Sequence, residues 1–565
     1  MSAPRRVAVV GAGPAGLSAA HAALAAGARV TLIDAAEEPG GQYHRTVPEA
    51  YEAKRPGHLQ HGWRAFALRR RRVLAHPRCT WLPRTSVWAL ERPRAGHEGP
   101  PRVHLLSPAP ADGAGRTRHT LDVDALVLAV GAHDRVLPFP GWQLPGVCTA
   151  GAAQALAKGE RVAVGDRVVV AGSGPFLLPV AASLLDVGSR VLEVLEANTA
   201  ATTARGWGRR PWELAAQAGK AAELAEHAAA LARHRVPYRT GRTVVEARGD
   251  GRVEEVVTAR LRADWSVLDG TRRTVAVDAV CVSHGFSPQL ELPLAAGCAL
   301  VEPAAPRPGA AGDGDAPGAR GTGPSGAGGA FGAPGAPGAP GAFVRVDDEQ
   351  RTSVPGVFAA GEITGIAGAP AARAEGAVAG WAAAAGAPRN AGPRRALRAL
   401  RALRRSRDEG RAFAERLARA HPIGAAWPGW LRPQTVVCRC EETDYGSLCA
   451  AFAAEAGAAP RVAKLNTRAG LGPCQGRICG PTVAELRRRI AGEATERPAE
   501  GLAPAGPHRR PLAQPIRLGE LAAPPTPLTD PDHRPEPEHR PEQDHRPEQE
   551  HRPEPDHRPE QESSS

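Results

Sequence analysis

The sequence predicts an α/β fold: two dinucleotide-type domains, one inserted in the other, then a small, mainly helical cysteine module and a disordered tail. Three observations carry this. RVAVVGAGPAGLSAAHAALAAGARVTLID (Arg6–Asp34) reads as strand, glycine turn, helix and second strand. RVVVAGSGPFLLPVAASLLDVGSRVLEVLE (Arg167–Glu196) repeats that unit about 160 residues later. Finally, VVCRCEETDYGSLC (Val436–Cys449) and GPCQGRICG (Gly472–Gly480) bring clustered cysteines near the end of the chain.

At 565 residues the chain is long enough for several domain-sized units, and 42% hydrophobic with 23% charged residues is ordinary for a soluble globular protein. Four lysines among 71 basic residues reflect a GC-rich coding bias. The net charge of +12 comes with no aromatic-interleaved basic patch or helix-turn-helix pattern, so no nucleic-acid partner is expected. The stretch Asp530–Glu562 carries a net −7, which leaves +19 on the remainder and suits an acidic partner surface. No segment reads as a membrane span or a cleavable signal, so the expected location is cytoplasmic. There, nine cysteines point to metal or redox roles for those that cluster.

The first unit carries the strongest motif. Gly11, Gly13 and Gly16 form GxGxxG between strand and helix, within the run Gly11, Ala12, Gly13, Pro14, Ala15, Gly16. Gly11 makes the tight turn, Gly13 lets a pyrophosphate approach the backbone, and Gly16 permits close helix–strand packing. The helix N-terminus supplies amide donors and Asp34 a ribose acceptor.

PGGQYHR (Pro39–Arg45), LVLAVGA (Leu126–Ala132) and TSVPGVFAAGE (Thr352–Glu362) then resemble, in order, three further motifs of two-dinucleotide-domain flavoproteins such as thioredoxin and glutathione reductases. The resemblance spans roughly residues 5 to 385, excluding the stretch 301–342, and implies FAD. It places Gly41 and Gln42 near the flavin, Gly131 at the return from the first half, and Gly361 with Glu362 at the ribityl-phosphate end. Relatives that reduce disulfides carry two cysteines at the flavin. PGGQYHR has none, and Cys148 has no partner within several residues, so dithiol chemistry is not expected. His44 and His133 flank the flavin motifs and are read as structural.

The second unit departs from the fingerprint. Gly172 and Gly174 stand, but Leu177 fills the third glycine position and Pro179 follows in the first helical turn. A bulky Leu177 is expected to push the helix from the strand and alter the phosphate seat. Glu196 remains available to a ribose. NAD(P) binding and a retained structural domain that serves a subunit contact both stay open.

In C-x-C-x33-C-x4-C, Cys438, Cys440, Cys474 and Cys479 supply two close pairs of thiolates. That suits a [2Fe–2S] cluster, in which each iron takes two protein sulfurs; a four-thiolate zinc is the alternative, though zinc ribbons space their cysteines more widely. Gly470, Gly472, Gly476 and Gly480 allow backbone N–H groups to reach sulfur, and Arg439, Lys464, Arg468 and Arg477 can offset cluster charge. Cys449 reads as a helix cysteine outside the ligand set; Cys79, Cys281 and Cys298 read as solitary.

CRCEE followed by KLNTRAGLGPCQGRICG resembles the ferredoxin-like [2Fe–2S] domain of bacterioferritin-associated type. It is fused to an FAD module as in the A subunits of octopine and nopaline oxidases, the B subunit of hydrogen cyanide synthase and the α subunits of heteromeric proline and hydroxyproline dehydrogenases. LPFPGWQLPGVCTAGAAQALAKG (Leu137–Gly159) has that family's look too. Bacterioferritin-associated ferredoxins themselves end in Cys-x-x-Cys, and the wider spacing here is closer to the amine-oxidising subunits.

On this reading the FAD-binding domain covers 1–155 and 276–390, with the second dinucleotide-type domain inserted at 156–275. A Gly/Ala/Pro-rich flexible insertion occupies 301–342, a basic helical linker 391–432 and the [2Fe–2S] ferredoxin-like domain 433–491. In the linker, Leu397, Leu400 and Leu403 form one apolar stripe, either packed or docking an acidic subunit. The tail at 492–565 includes five HRPE-type hexads from His533.

The family resemblance implies an electron-relay role. A second flavin-containing subunit oxidises a small-molecule amine, a small ferredoxin-like subunit can accompany it in the assembly, and this chain carries electrons onward. Two other readings remain: a self-contained NAD(P)H-dependent reductase feeding an acceptor through the cluster, and a non-catalytic redox sensor. No catalytic acid or base is nominated.

Overall fold

In the computed structural model, parallel strands Arg6–Val10, Arg29–Ile33, Cys79–Leu82, Ala125–Leu128 and Val357–Ala359 form the first sheet. The last two extend it on the far side of Arg6–Val10, opposite Arg29–Ile33. The structure describes residues 4–55, 57, 60–93, 99–108, 115–208, 218–301, 342–385, 393–454, 460–490 and 512–528. Valine and leucine dominate these short runs because both sheet faces are covered. Helix Pro14–Ala25 packs on one face and is held against helix Ala369–Ala383 by glycines. A Cβ on Gly376 would lie 2.0 Å from the Ala15 carbonyl oxygen, and one on Gly380 2.2 Å from that of Ala19. The two halves of the FAD module are thus locked backbone to backbone.

The second parallel sheet runs Tyr238–Thr240, Arg190–Glu196, Arg167–Gly172, Ala279–Ser283, Val147–Thr149. Its last two strands lie outside the 156–275 range read from sequence. An antiparallel sheet (Arg242–Arg248, Glu255–Arg260, Arg273–Ala276) completes this domain.

The cysteine module does not hang on a tether. Trp265 of the inserted domain stacks on Trp430 at 5.8 Å between ring centroids and 8° between planes. One core continues from Val245, Val257 and Ala259 through Trp427 to Val437, Leu448, Phe452 and Leu486. Two buried ions reinforce the joint: Arg135 meets Glu485 at 2.9 Å, and the Trp427 indole N–H donates to the same carboxylate at 3.0 Å.

The expected basic helix spans Pro393–Ala420. It crosses Ala369–Ala383 closely, since a Cβ on Gly410 would sit 2.3 Å from the Ala371 Cβ. Its Arg411 pairs with the buried Glu375 at 3.1 Å. The leucine stripe is only partly used: Leu397 is exposed, whereas Leu400 and Leu403 are half-buried.

Two further points adjust the expected domains. Leu300–Val301 and Phe343–Val344 pair antiparallel, pinning together the two ends of the glycine-rich insertion, whose residues 302–341 lie outside those described. Within the range read as a disordered tail, residues 512–528 are ordered. Thr526–Pro527 adds a parallel strand to Thr117–Leu121, and Arg116, almost fully buried, is bound by both Glu520 carboxylate oxygens. Elements of two to five residues carry no readable period; only the partner edge and a charge buried against it define them. The HRPE-type hexads fall outside the described residues.

Candidate functional site: a nucleotide cradle, a plugged crevice and a thiol cluster

Gly11 turns with φ +99°, and a Cβ there would meet the Ala129 carbonyl oxygen at 2.3 Å; one on Gly16 would meet the Gly11 carbonyl oxygen at 1.6 Å. These two glycines are demanded by the protein's own backbone. Gly13 is different: a Cβ there would find only the Gly41 Cα, at 3.8 Å, so the space before the helix N-terminus is left for a ligand. Pro14 begins the helix immediately after Gly13, aiming the first-turn amides at that space. Asp34 ends the second strand, accepts the Ala12 N–H at 2.5 Å and the Ala36 N–H at 2.8 Å, and is thereby fixed at the edge of the cradle. Burial raises its carboxyl above the ordinary value against those two amides.

At the other end Gly361 abuts Ala15, and Glu362 accepts the N–H of Gly368, the residue that caps the next helix, at 3.0 Å. Burial pushes the Glu362 carboxyl up to about 7. Glu375, which sequence reading missed, accepts the Gly361 N–H at 2.9 Å and the Thr364 hydroxyl at 2.7 Å, holding this turn in place. A mid-helix glutamate carries no motif that would have singled it out. Gly41 (φ +59°) faces Gly13, Gln42 beside it is exposed, and Gly131 (φ +77°) returns the chain from the first half. The donor set and the open face at Gly13 suit a dinucleotide pyrophosphate, while Gly41 is required by the backbone, since a Cβ there would lie 2.8 Å from the Gly13 Cα. His44 is buried, stacked on Phe66 at 4.2 Å and bonded to the His61 carbonyl oxygen.

The second cradle is built differently. Gly172 is required, because a Cβ would lie 1.7 Å from the Ser283 carbonyl oxygen, but the helix starts only at Leu177. Leu177 does not splay the helix; it is fully buried in the domain core, and the preceding residues form a turn in which the Leu177 and Leu178 amides bond to the Gly174 and Pro175 carbonyls. The carboxylate expected to meet a ribose is spent internally. Glu196 has no exposed surface, accepts from the Gly174 amide at 2.8 Å and from both nitrogens of Asn198, and faces His421 Nδ1 at 3.1 Å. The Trp207 indole donates to His421 Nε2 at 3.2 Å, which leaves Nδ1–H to donate to Glu196. Ser173 donates to the His421 carbonyl oxygen. The chain thus fills its own second crevice with the segment that follows the long basic helix.

The four cysteines of the C-terminal module converge. Sulfur contacts link Cys438 to Cys479, Cys479 to Cys474, and Cys474 to Cys440. Contact with Cys479, against burial and with the amides of Gly470, Glu441 and Cys440, draws the Cys438 thiol down to about 6. Cys474 falls to about 4 through Cys479, Cys440 and the amides of Ile478 and Gly476. Cys479 is pushed up as the proton holder of the set. This is a cage of backbone N–H groups around sulfur, of the kind that stabilises thiolate ligands. It depends on left-handed turns at Gly470 (φ +82°) and Gly476 (φ +79°) and on close approach at Gly472, where a Cβ would strike the Cys440 Cβ at 2.3 Å. Cys438 and Cys479 are buried while Cys440 is exposed, so the cluster has one inner and one outer edge. Arg468 pairs with Glu441 at 2.7 Å. Cys449 lies on helix Tyr445–Ala454 beside Tyr445.

The cysteine loop touches the flavin-side return strand. His133 Nε2 donates to the Arg477 carbonyl oxygen at 2.7 Å, and the Arg477 side chain reaches Glu291 at 2.8 Å. Arg439, between Cys438 and Cys440, lies over the Trp142 ring and donates to the carbonyls of Gln143 and Val147. One expectation fails here. Cys281 is not solitary: it and Cys148 are register partners on adjacent parallel strands with sulfurs 3.6 Å apart. Contact with Cys281, aided by the Arg439 charge, lowers the Cys148 thiol, and Cys281 is correspondingly raised. A separation of 133 residues hid the pair from sequence reading.

Comparison with known proteins agrees with this architecture. Residues 5–304 match the pyridine nucleotide-disulphide oxidoreductase family. The A subunit of opine oxidase from Rhizobium meliloti is 31% identical, over 91% of this chain and 87% of that protein. The hydrogen cyanide synthase subunit HcnB of Pseudomonas aeruginosa is 30% identical, over 86% of this chain and 93% of that one. Among solved structures, L-proline dehydrogenase from P. horikoshii superposes with a TM-score of 0.56 at 17% identity, covering 93% of this chain and 81% of that one, which speaks for the fold. This chain belongs to the family of the opine oxidase A subunits, FAD-type oxidoreductases built on the pyridine nucleotide-disulphide oxidoreductase fold.

Proposed function

We propose that this chain is the electron-relay subunit of a heteromeric amino-acid- or opine-type amine dehydrogenase, holding FAD in the first cradle and a [2Fe–2S] cluster on Cys438, Cys440, Cys474 and Cys479. The observation that carries the reading is the contact of the flavin-side strand with the cysteine loop through His133 and Arg477. FAD, when bound, takes up electrons in pairs and a [2Fe–2S] centre passes them singly. The chain's own residues do the rest. Gly13 leaves room for the pyrophosphate, Asp34 and Glu362 bound the two ends of the cradle, and the Gly470 and Gly476 turns hold the thiolates. The exposed Cys440 edge faces outward, where a partner or acceptor takes electrons.

Support from relatives is direct in one respect: the opine oxidase and hydrogen cyanide synthase proteins similar to this chain are named as subunits. The expected partner is therefore a second flavin-containing subunit that oxidises the amine. The test is purification of the assembled complex and of its Cys438→Ser counterpart. Wild type should contain two iron and two labile sulfide per chain, as the cluster formula requires, and give an EPR signal once amine is added. The variant should lose the signal and the transfer to acceptor while the partner's flavin is still reduced by amine. Stoichiometric zinc without a signal, or an amine-oxidising single chain, would overturn the reading.

The NAD(P)H-driven alternative loses support because Glu196, Ser173 and Gly174 are already engaged within the chain, Glu196 and Ser173 by His421. NADH or NADPH added anaerobically to the isolated chain is expected to leave the flavin absorbance unbleached; rapid bleaching by either would reinstate that alternative.

A further inference from the structure

A cluster of metal-binding side chains lies away from the cysteines, at the meeting of the two dinucleotide domains. His61 precedes helix Trp63–Leu74 of the FAD module, and Glu223 and His227 stand one turn apart on helix Ala218–Arg233 of the inserted domain. One ligand atom from each lies within 4.8 Å of the other two. His61 Nε2 faces the Glu223 carboxylate at 3.9 Å, and its Nδ1 faces the Glu226 carboxylate at 3.8 Å. His227 Nε2 is shielded from solvent and has no hydrogen-bond partner.

We propose that His61, Glu223 and His227 form a transition-metal site, suited to Zn²⁺, that clamps the inserted domain to the FAD module. Two imidazoles and a carboxylate, with water as the fourth ligand, are a zinc donor set. Glu226, exposed and 3.8 Å from His61 Nδ1, is placed to accept the Nδ1–H of His61 on closure, the tautomer that leaves Nε2 to the metal. Zinc bonds of about 2.1 Å bring ligand atoms to about 3.4 Å from one another, so the three side chains must close somewhat. His61 and Glu223 are about one-third exposed and free to do so. Lys158 faces the same space, and the Glu223 carboxylate offsets its charge.

The proposal does not depend on the relay function. Its test is equilibrium dialysis of the flavin-loaded full chain against Zn²⁺, with the bound metal examined by X-ray absorption. Wild type should bind one zinc with a nitrogen/oxygen shell, and zinc should raise the unfolding temperature. His61→Ala and His227→Ala should each weaken binding by about a hundredfold or more, and Glu226→Gln by about tenfold. The Cys438→Ser variant should bind as wild type does. A shell containing sulfur, no bound zinc, or binding unchanged in both histidine variants would overturn it. Because Glu226→Gln removes none of the three ligands, its intermediate loss keeps the test decisive even if an alanine variant folds poorly.

Discussion

Replacing Glu485 by alanine is expected to destabilise the joint between the cysteine module and the segment that carries Arg135 by about 3–5 kcal/mol, the usual cost of breaking a buried ion pair from one side. Arg135 and Glu485 are both buried, and Glu485 also receives the Trp427 indole and Arg489 at 2.6 Å. Removing the carboxylate therefore takes an ion pair from a buried guanidinium and the acceptor from the Trp427 indole N–H. Glu485→Gln, which retains acceptor capacity at similar volume, should lose less. The readout is denaturant unfolding followed through tryptophan fluorescence, since Trp265, Trp427 and Trp430 all lie in the shared core. A loss below about 1 kcal/mol would mean that the core, rather than the ion pair, holds the joint. If the module separates, transfer from flavin to acceptor should fall with it, because His133 and Arg477 meet across the same boundary.

The second large effect separates two roles within one motif. Gly16→Ala places a methyl 1.6 Å from the Gly11 carbonyl oxygen, and Gly11 is itself wedged against Ala129. Backbone lies on both sides, so relief requires the helix to move. A cost of about 3 kcal/mol and loss of bound flavin are expected. Gly13→Ala meets nothing closer than 3.8 Å in the protein, so it should leave the fold intact and lose flavin because its methyl fills the ligand's space. Visible absorbance of the purified proteins measures flavin content, and thermal unfolding of the flavin-free forms measures the fold. Equal flavin occupancy in Gly13→Ala and wild type would show that the pyrophosphate does not approach there.

The physics behind these two predictions differs in range, and so did their visibility. Gly11, Gly13, Gly16 and Asp34 lie within one βαβ unit, where each residue type answers a local backbone demand. Cys438 with Cys440, and Cys474 with Cys479, are likewise local pairs, visible in their spacing. Glu375 carried no such signal. Its importance comes from accepting the Gly361 amide across a helix packing, and nothing in a helix interior advertises that.

By itself the sequence determined the parallel α/β class, the first nucleotide cradle and the grouping of four cysteines, because each follows from short-range periodicity or steric need. Only the tertiary structure decided the fate of the second cradle, where His421 arrives from 225 residues away to bind Glu196. It alone paired Cys148 with Cys281, joined His61 to Glu223 and His227, and ordered residues 512–528 against a sheet edge. The reason is common to all four. A side chain's partner across strands or domains is fixed by how layers stack, and that information is spread over the whole core rather than held in any one segment.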